Sequence, residues 1–162
     1  MKNNLAIAYG SGGHTAQAKR LEKYLIDNSL ADQDKIYYIL ESDINEAYNS
    51  NNALLVSPLR HKYSKLLSMV MILKIPFSII KISRFLIKND ISVVVSPGPG
   101  CAITSALSCK ITRKKFIFIE SWSRFTTLSF SGRICKLLAD DFYVQNKSLL
   151  RINKFAKYVG KL

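Results

Sequence analysis

The opening of the chain limits its possible folds more than any other stretch. Leu5-Ala6-Ile7-Ala8-Tyr9 is a short apolar run that passes directly into Gly10-Ser11-Gly12-Gly13-His14-Thr15. Beyond it Leu21, Tyr24 and Leu25 fall at helical spacing, so His14–Asn28 reads as a helix. A strand, a glycine turn and a helix, in that order, present free backbone N–H groups and a helix N-terminus to a phosphate. Glycine lets the backbone approach such a ligand closely. His14 falls in the first helical turn, directed at whatever the turn holds. The plainer alternative is a tight turn that needs small residues.

The same alternation continues down the chain. Lys35–Leu40, Ala53–Val56, Ile91–Val95, Phe116–Ile119, Phe142–Gln145 and Tyr158–Val159 read as strands. Tyr63–Asn89, broken or kinked at Pro76, Cys101–Cys109 and Leu128–Leu138 read as helices. Ile91–Val95 is β-branched and uncharged, as a buried parallel strand requires. The expected fold class is therefore α/β: a Rossmann-like parallel sheet with helices on both faces, built as one domain over residues 1–162. In such sheets ligands bind beyond the carboxyl ends of the strands. Three features fall there: Gly10–His14, a second turn Ser96-Pro97-Gly98-Pro99-Gly100, and Glu120-Ser121-Trp122-Ser123-Arg124. For the last, the bland alternative is a solvated Glu120 paired with a surface Arg124.

The net charge of +13 implies an anionic partner. The excess is regional. Asp90 is the sole acid between Ala47 and Ile119, a span that carries eleven Lys and Arg residues. Within it, Lys74, Ser78, Lys81 and Lys88 recur on one side of a helix, with Arg84 nearby, and the rest is aliphatic or Phe. A wide apolar face edged with cations predicts binding to an anionic membrane surface through Lys74, Lys81, Arg84 and Lys88. The alternative is an amphipathic helix packed on the sheet. Lys74 and Lys81 interrupt the segment well short of the ~20 apolar residues of a membrane span. Cations among aliphatics, without a helix-turn-helix, RNP or zinc-finger signature, argue against nucleic acid. Cys101, Cys109 and Cys135 lack CxxC spacing or a histidine cluster, so free thiols and no metal or other cofactor are expected.

Taken together, several motifs resemble a known family. They are Gly10-Ser11-Gly12-Gly13-His14-Thr15, Gly98-Pro99-Gly100, Phe118-Ile119-Glu120-Ser121 with Arg124, Leu128-Ser129 with Gly132, and Ala139-Asp140-Asp141-Phe142-Tyr143-Val144-Gln145. In this order they are similar to the membrane-associated subunit of the bipartite N-acetylglucosaminyltransferase of the dolichol pathway. They are equally similar to its bacterial counterparts in capsule and exopolysaccharide assembly. That family is akin to the N-terminal half of a GT-B transferase. The sequence departs from it at Gln17, where Glu is frequent, and at Asn146-Lys147 after Gln145, and the N-terminal membrane anchor of the eukaryotic members is not expected here.

The resemblance implies an acceptor-binding half-enzyme, inactive without a separate donor-binding glycosyltransferase subunit that carries a UDP-sugar. It would sit peripherally on the cytoplasmic face of the membrane. An acceptor hydroxyl, on a sugar linked through diphosphate to a polyprenol, would attack the anomeric carbon with inversion. His14 is then the candidate base or hydroxyl orienter, and Glu120 the rival base or the group that orients His14. The amides of Gly10, Ser11, Gly12 and Gly13, with Thr15, and those of Gly98 and Gly100 would cradle phosphate. Ser121 would join them, and Arg124 would screen the diphosphate charge. A non-catalytic membrane scaffold for a transferase is the competing expectation.

Overall fold

The computed structural model describes residues 4–42, 44, 52–58 and 73–162. Seven strands form a sheet in the order β3-β2-β1-β4-β5-β6-β7, every neighbouring pair parallel. They are β1 (Asn4–Tyr9), β2 (Ile36–Glu41), β3 (Ala53–Val56), β4 (Ile91–Gly98), β5 (Lys115–Ile119), β6 (Asp141–Val144) and β7 (Lys157–Tyr158). The helices are α1 (Gly13–Asp27), α2 (Ile75–Lys88), α3 (Cys101–Thr112) and α4 (Phe130–Leu138). The chain builds outward from β1 to β3, then returns to the other side of β1 and builds outward again from β4. The order therefore reverses between β1 and β4, and outside the carboxyl ends of strands at such a reversal lies the crevice where α/β sheets bind ligands.

Strand alternation divides the core. Ala6, Ala8, Val94, Phe116, Phe118 and Phe142 face one side, where they pack with Ile82 and Leu86 of α2, Ala102 and Ala106 of α3, and Cys135 of α4. Ile7, Tyr9, Val95 and Ile119 face the other, against Ala18 and Leu21 of α1. Ile82 and Leu86 are fully buried, and each contributes roughly 1.5–3 kcal/mol by leaving water. Among the described residues the sheet thus carries α2, α3 and α4 on one face and α1 on the other. Alanines in β1 and α3 let that helix sit close over the strand that bears the first glycine turn.

Some boundaries depart from the sequence reading. β4 runs on through Ser96-Pro97-Gly98, so the second turn shrinks to Pro99 and Gly100. The Ser96 hydroxyl explains the extension: it donates to the Ala8 carbonyl at 2.6 Å and accepts from the Gly98 N–H at 3.2 Å, clipping β4 to β1. Of the two expectations for Pro76 the break holds: the helix is interrupted at Lys74 and restarts as α2, where Pro76 sits in the first turn and needs no N–H donor. The earlier part of the predicted Tyr63–Asn89 helix, 63–72, lies outside the described residues. The last helix starts at Phe130, with Ser129 as its N-cap accepting from the Gly132 N–H at 2.9 Å. All three cysteines are buried, and burial pushes the Cys109 and Cys135 thiols up to about 12, so both pack as small apolar groups.

Candidate functional site

The turn after β1 is open on the side facing the crevice. Gly12 takes a φ of 83° as the N-cap of α1, and a methyl group added at Gly12 or Gly13 would meet nothing within 4 Å. The first turn of α1 holds no acidic residue and its cap makes no side-chain hydrogen bond. Its helix dipole is therefore left for an incoming negative charge. Thr15 shapes the turn from within, its hydroxyl donating to the Gly10 carbonyl at 3.0 Å.

His14 reaches from α1 across to β4. Its Nδ1 lies 2.9 Å from the Pro97 carbonyl. A carbonyl only accepts, so Nδ1 carries the proton and, in the neutral ring, Nε2 holds the lone pair. Gly98, at a φ of 94°, lies beneath the ring; a side chain there would meet the imidazole at 3.2 Å. Burial lowers the His14 pKa below its ordinary value; the Pro97 bond and the Glu120 charge oppose this, and Arg124 adds to it. At neutral pH the group is an uncharged base held in one tautomer.

The second turn has another use. Glu41, the last residue of β2, is buried, and its Oε1 accepts from the Cys101 N–H at 2.9 Å, at the start of α3. A methyl group on Gly10 would lie 2.3 Å from Glu41 Oε2 and 2.8 Å from the Pro99 ring. The protein's own carboxylate thus occupies the N-terminus that Gly98 and Gly100 were expected to offer a phosphate. Gly10 is a glycine because Glu41 and Pro99 pack against it, not because a ligand does. Of the expected phosphate cradle, Gly12, Gly13 and the N-terminus of α1 keep the geometry for the task.

Glu120 is not a solvated loop carboxylate. It is 1% exposed. Its Oε1 accepts from the Ser121 N–H at 2.8 Å, and its Oε2 from the Ser129 N–H at 3.0 Å and the Ser129 hydroxyl at 3.1 Å. A side chain on Gly132 would collide with it at 2.0 Å, so Gly132 exists to admit this carboxylate. Committed this way, Glu120 ties the loop after β5 to α4. It shares the edge with His14 and acts on it through its charge. Ser121 spends its N–H on Glu120. Arg124 is exposed, and its charge is felt at His14.

The sequence reading missed the residues that hold this loop. Asn146 is buried and its amide donates to the Trp122 and Arg124 carbonyls, while the Ser148 hydroxyl donates to the Phe125 carbonyl. Gln145 donates to the Glu120 carbonyl at 3.0 Å and accepts from the Leu162 N–H at 2.9 Å. Gln17 faces the same carbonyl at 3.5 Å. The loop in turn displays Trp122 (50% exposed) and Phe125 (57%), with Phe130 (74%) beside them at the start of α4.

The cationic face of α2 is also distinct. Ser78, Ile82 and Leu86 turn inward, while Lys74, Phe77, Ile80, Lys81, Arg84, Ile87 and Lys88 are exposed. Lys81 leans back over the edge of the sheet, donating to the Leu55 carbonyl at 2.9 Å. Among the described residues no helix is long and apolar enough to cross a membrane, and no His/Cys/Asp/Glu group is arranged to hold a metal.

A seven-stranded parallel sheet whose order reverses between β1 and β4 defines a class by fold: a Rossmann-like domain of the kind that forms one half of GT-B structures. The fold superimposes on UDP-GlcNAc 2-epimerase from Methanocaldococcus jannaschii with a TM-score of 0.65 and 14% identity, over 97% of this chain and 45% of that one. It superimposes on MurG from Acinetobacter baumannii with a TM-score of 0.63 and 12% identity, over 87% of this chain and 41% of that one. Residues 5–162 match the family of oligosaccharide biosynthesis proteins described as Alg14 like, and the chain belongs to that family. It is 31% identical to UDP-N-acetylglucosamine transferase subunit ALG14 of Kluyveromyces lactis, over 100% of this chain and 80% of the relative.

Proposed function

We infer that this chain is the acceptor-binding, membrane-associated subunit of a bipartite inverting glycosyltransferase in polysaccharide or lipid-linked oligosaccharide assembly. A separate subunit brings the UDP-sugar. Membership of the Alg14-like family supports the division of labour. The observation that carries the chemistry is the neutral His14 in the first turn of α1, with Nδ1 fixed on Pro97 and the lone pair therefore on Nε2.

In this reading the acceptor is a sugar linked through diphosphate to a polyprenol. Its hydroxyl oxygen forms a bond to the anomeric carbon as the bond from that carbon to UDP breaks. The hydroxyl proton passes to His14 Nε2, and UDP leaves with its charge eased by Arg124, the N-terminus of α1 and groups of the partner. The exposed rim of Trp122, Phe125 and Phe130 suits closure by the partner subunit, since an apolar patch of this kind marks an interaction surface. The exposed face of α2, with Lys74, Lys81, Arg84 and Lys88 among Phe77, Ile80 and Ile87, suits peripheral contact with an anionic membrane at its cytoplasmic face.

A scaffold that contributes no reacting group is the second reading. It is favoured by one fact: the buried carboxylates at this edge, Glu41 and Glu120, are both engaged in packing. Turnover of a lipid-diphosphate acceptor with UDP-sugar separates the two. The chain alone should be inactive and the assembled pair active. His14→Ala in the pair should cost roughly 10²–10⁴-fold in kcat, with the melting temperature and partner affinity nearly unchanged. Near-native turnover by that variant would make the chain a scaffold.

A further inference from the structure

A second concavity opens on the same edge, two strands away from His14. It encloses about 570 Å³ between the ends of β2 and β3 and the first two turns of α2. Ser42 and Ser57 line it from the strand ends, and Lys74, Phe77, Ser78 and Lys81 from the helix. Lys74, Ser78 and Lys81 stand at i, i+4 and i+7, so one side of the helix brings two lysines and a serine to the lining of one space. The bond from Lys81 to the Leu55 carbonyl holds its stem along the wall. Asp and Glu are absent from the described lining. Phe77 lines the cleft and is 74% exposed, which gives it an apolar lip, and Leu73, the residue before Lys74, is equally exposed.

We propose that this cleft is a binding site for the phosphate or diphosphate end of a membrane lipid. Lys74 and Lys81 neutralise the charge, the serine hydroxyls donate to phosphate oxygens, and the hydrocarbon chain leaves over Phe77 and Leu73 into the bilayer. The inference rests on the lipid-acceptor reading above and locates the lipid end of that substrate. Adjacent strands lie about 4.8 Å apart, so β3 and β1 are separated by about 10 Å. The cleft and His14 thus lie along the same edge of the sheet. Arg84 and Lys88 lie further along α2, outside the cleft, and serve general attraction to the membrane.

That division makes the proposal testable on one helix with equal charge loss. Binding of the full chain is measured by co-sedimentation with phosphatidylcholine vesicles that contain either phosphatidic acid, a phosphate monoester, or phosphatidylglycerol at matched surface charge. The unmodified chain should prefer the monoester. Lys74→Gln with Lys81→Gln should abolish that preference, a loss of about 10-fold, while Arg84→Gln with Lys88→Gln should weaken both kinds of binding alike. Ser57→Leu, which fills the cleft without changing charge, should also remove the preference. Sodium pyrophosphate without lipid should compete only weakly, because it cannot use the apolar lip; tight competition would make this a soluble-anion site and overturn the lipid assignment. Equal effects of the two cationic pairs would overturn the cleft and leave the membrane reading standing. Absence of binding to either anionic vesicle would remove both.

Discussion

The turns Gly10–Gly13 and Pro99–Gly100 end adjacent strands and each opens a helix, yet they are used in opposite ways. The first leaves the N-terminus of α1 open above Gly12 and Gly13. The second is closed from inside by Glu41, whose carboxylate accepts from the first N–H of α3. Composition does not distinguish them, since both supply small residues at a strand end. What separates them is a charge delivered by the neighbouring strand. A glycine turn is a phosphate site only where the protein has not already supplied the anion.

The contrast can be broken at the glycines themselves. Gly10→Ala forces a methyl group against Glu41 and the Pro99 ring and should cost about 1–3 kcal/mol, read from urea unfolding. Gly13→Ala meets open space in the first position of a helix, so it should be neutral or add up to about 1 kcal/mol. Its effect should fall on function: the methyl group enters the space that the proposed function gives to a substrate phosphate, and KM should rise while stability holds. Equal stability losses at the two positions would erase the distinction between a filled and an open turn.

A smaller effect tests the charge alone. Glu41→Gln keeps an oxygen for the Cys101 N–H and removes the negative charge. The expected cost is about 0.3–2 kcal/mol, the range for a carboxylate at a helix N-terminus. Once the charge is gone, the start of α3 should respond to phosphate. In the unmodified chain, phosphate titration followed by amide NMR should move Gly12–Thr15 and leave Gly100–Ile103 in place. In the variant both groups should move. Shifts at Gly100–Ile103 in the unmodified chain would mean that Glu41 does not close that end.

The same pair of turns explains what was legible beforehand. Local pattern carried the fold, because apolar strand runs and helical spacing are written in neighbouring residues. It also located His14, since a residue just past a glycine turn has one edge of the sheet to face. The use of the second turn was not legible. It depends on Glu41, sixty places from Cys101 in sequence, and the strand reading stopped one residue short at Leu40. A signal did exist: Glu41 and Glu120 each stand at the end of an apolar strand run, where a parallel sheet brings them to one edge. Glu120 looked like a reacting group for the same reason. Its burial under Gly132 and its bonds to Ser129 arise from contacts between β5 and α4 that spacing alone does not encode.

The smallest effect concerns the charge state of His14, which the open turn needs to be neutral. Burial is the largest influence and lowers the pKa of the folded protein below the unfolded value of about 6.5. Between those two values the unfolded chain binds more protons than the folded one, so stability rises with pH there. The contribution of neutral His14 is complete above about 6.5 and is lost as pH falls through the folded pKa. Urea midpoints at pH 7.5 and 5.5 should show the unmodified chain losing more stability on acidification than His14→Gln, which cannot titrate. Turnover should follow the same limb, falling as the imidazole gains the proton it is meant to accept. If His14→Gln weakens with acid as steeply as the unmodified chain, the slope belongs to other groups. The imidazole would then be as easily protonated as one in water, and the closed tautomer against Pro97 would lose its purpose.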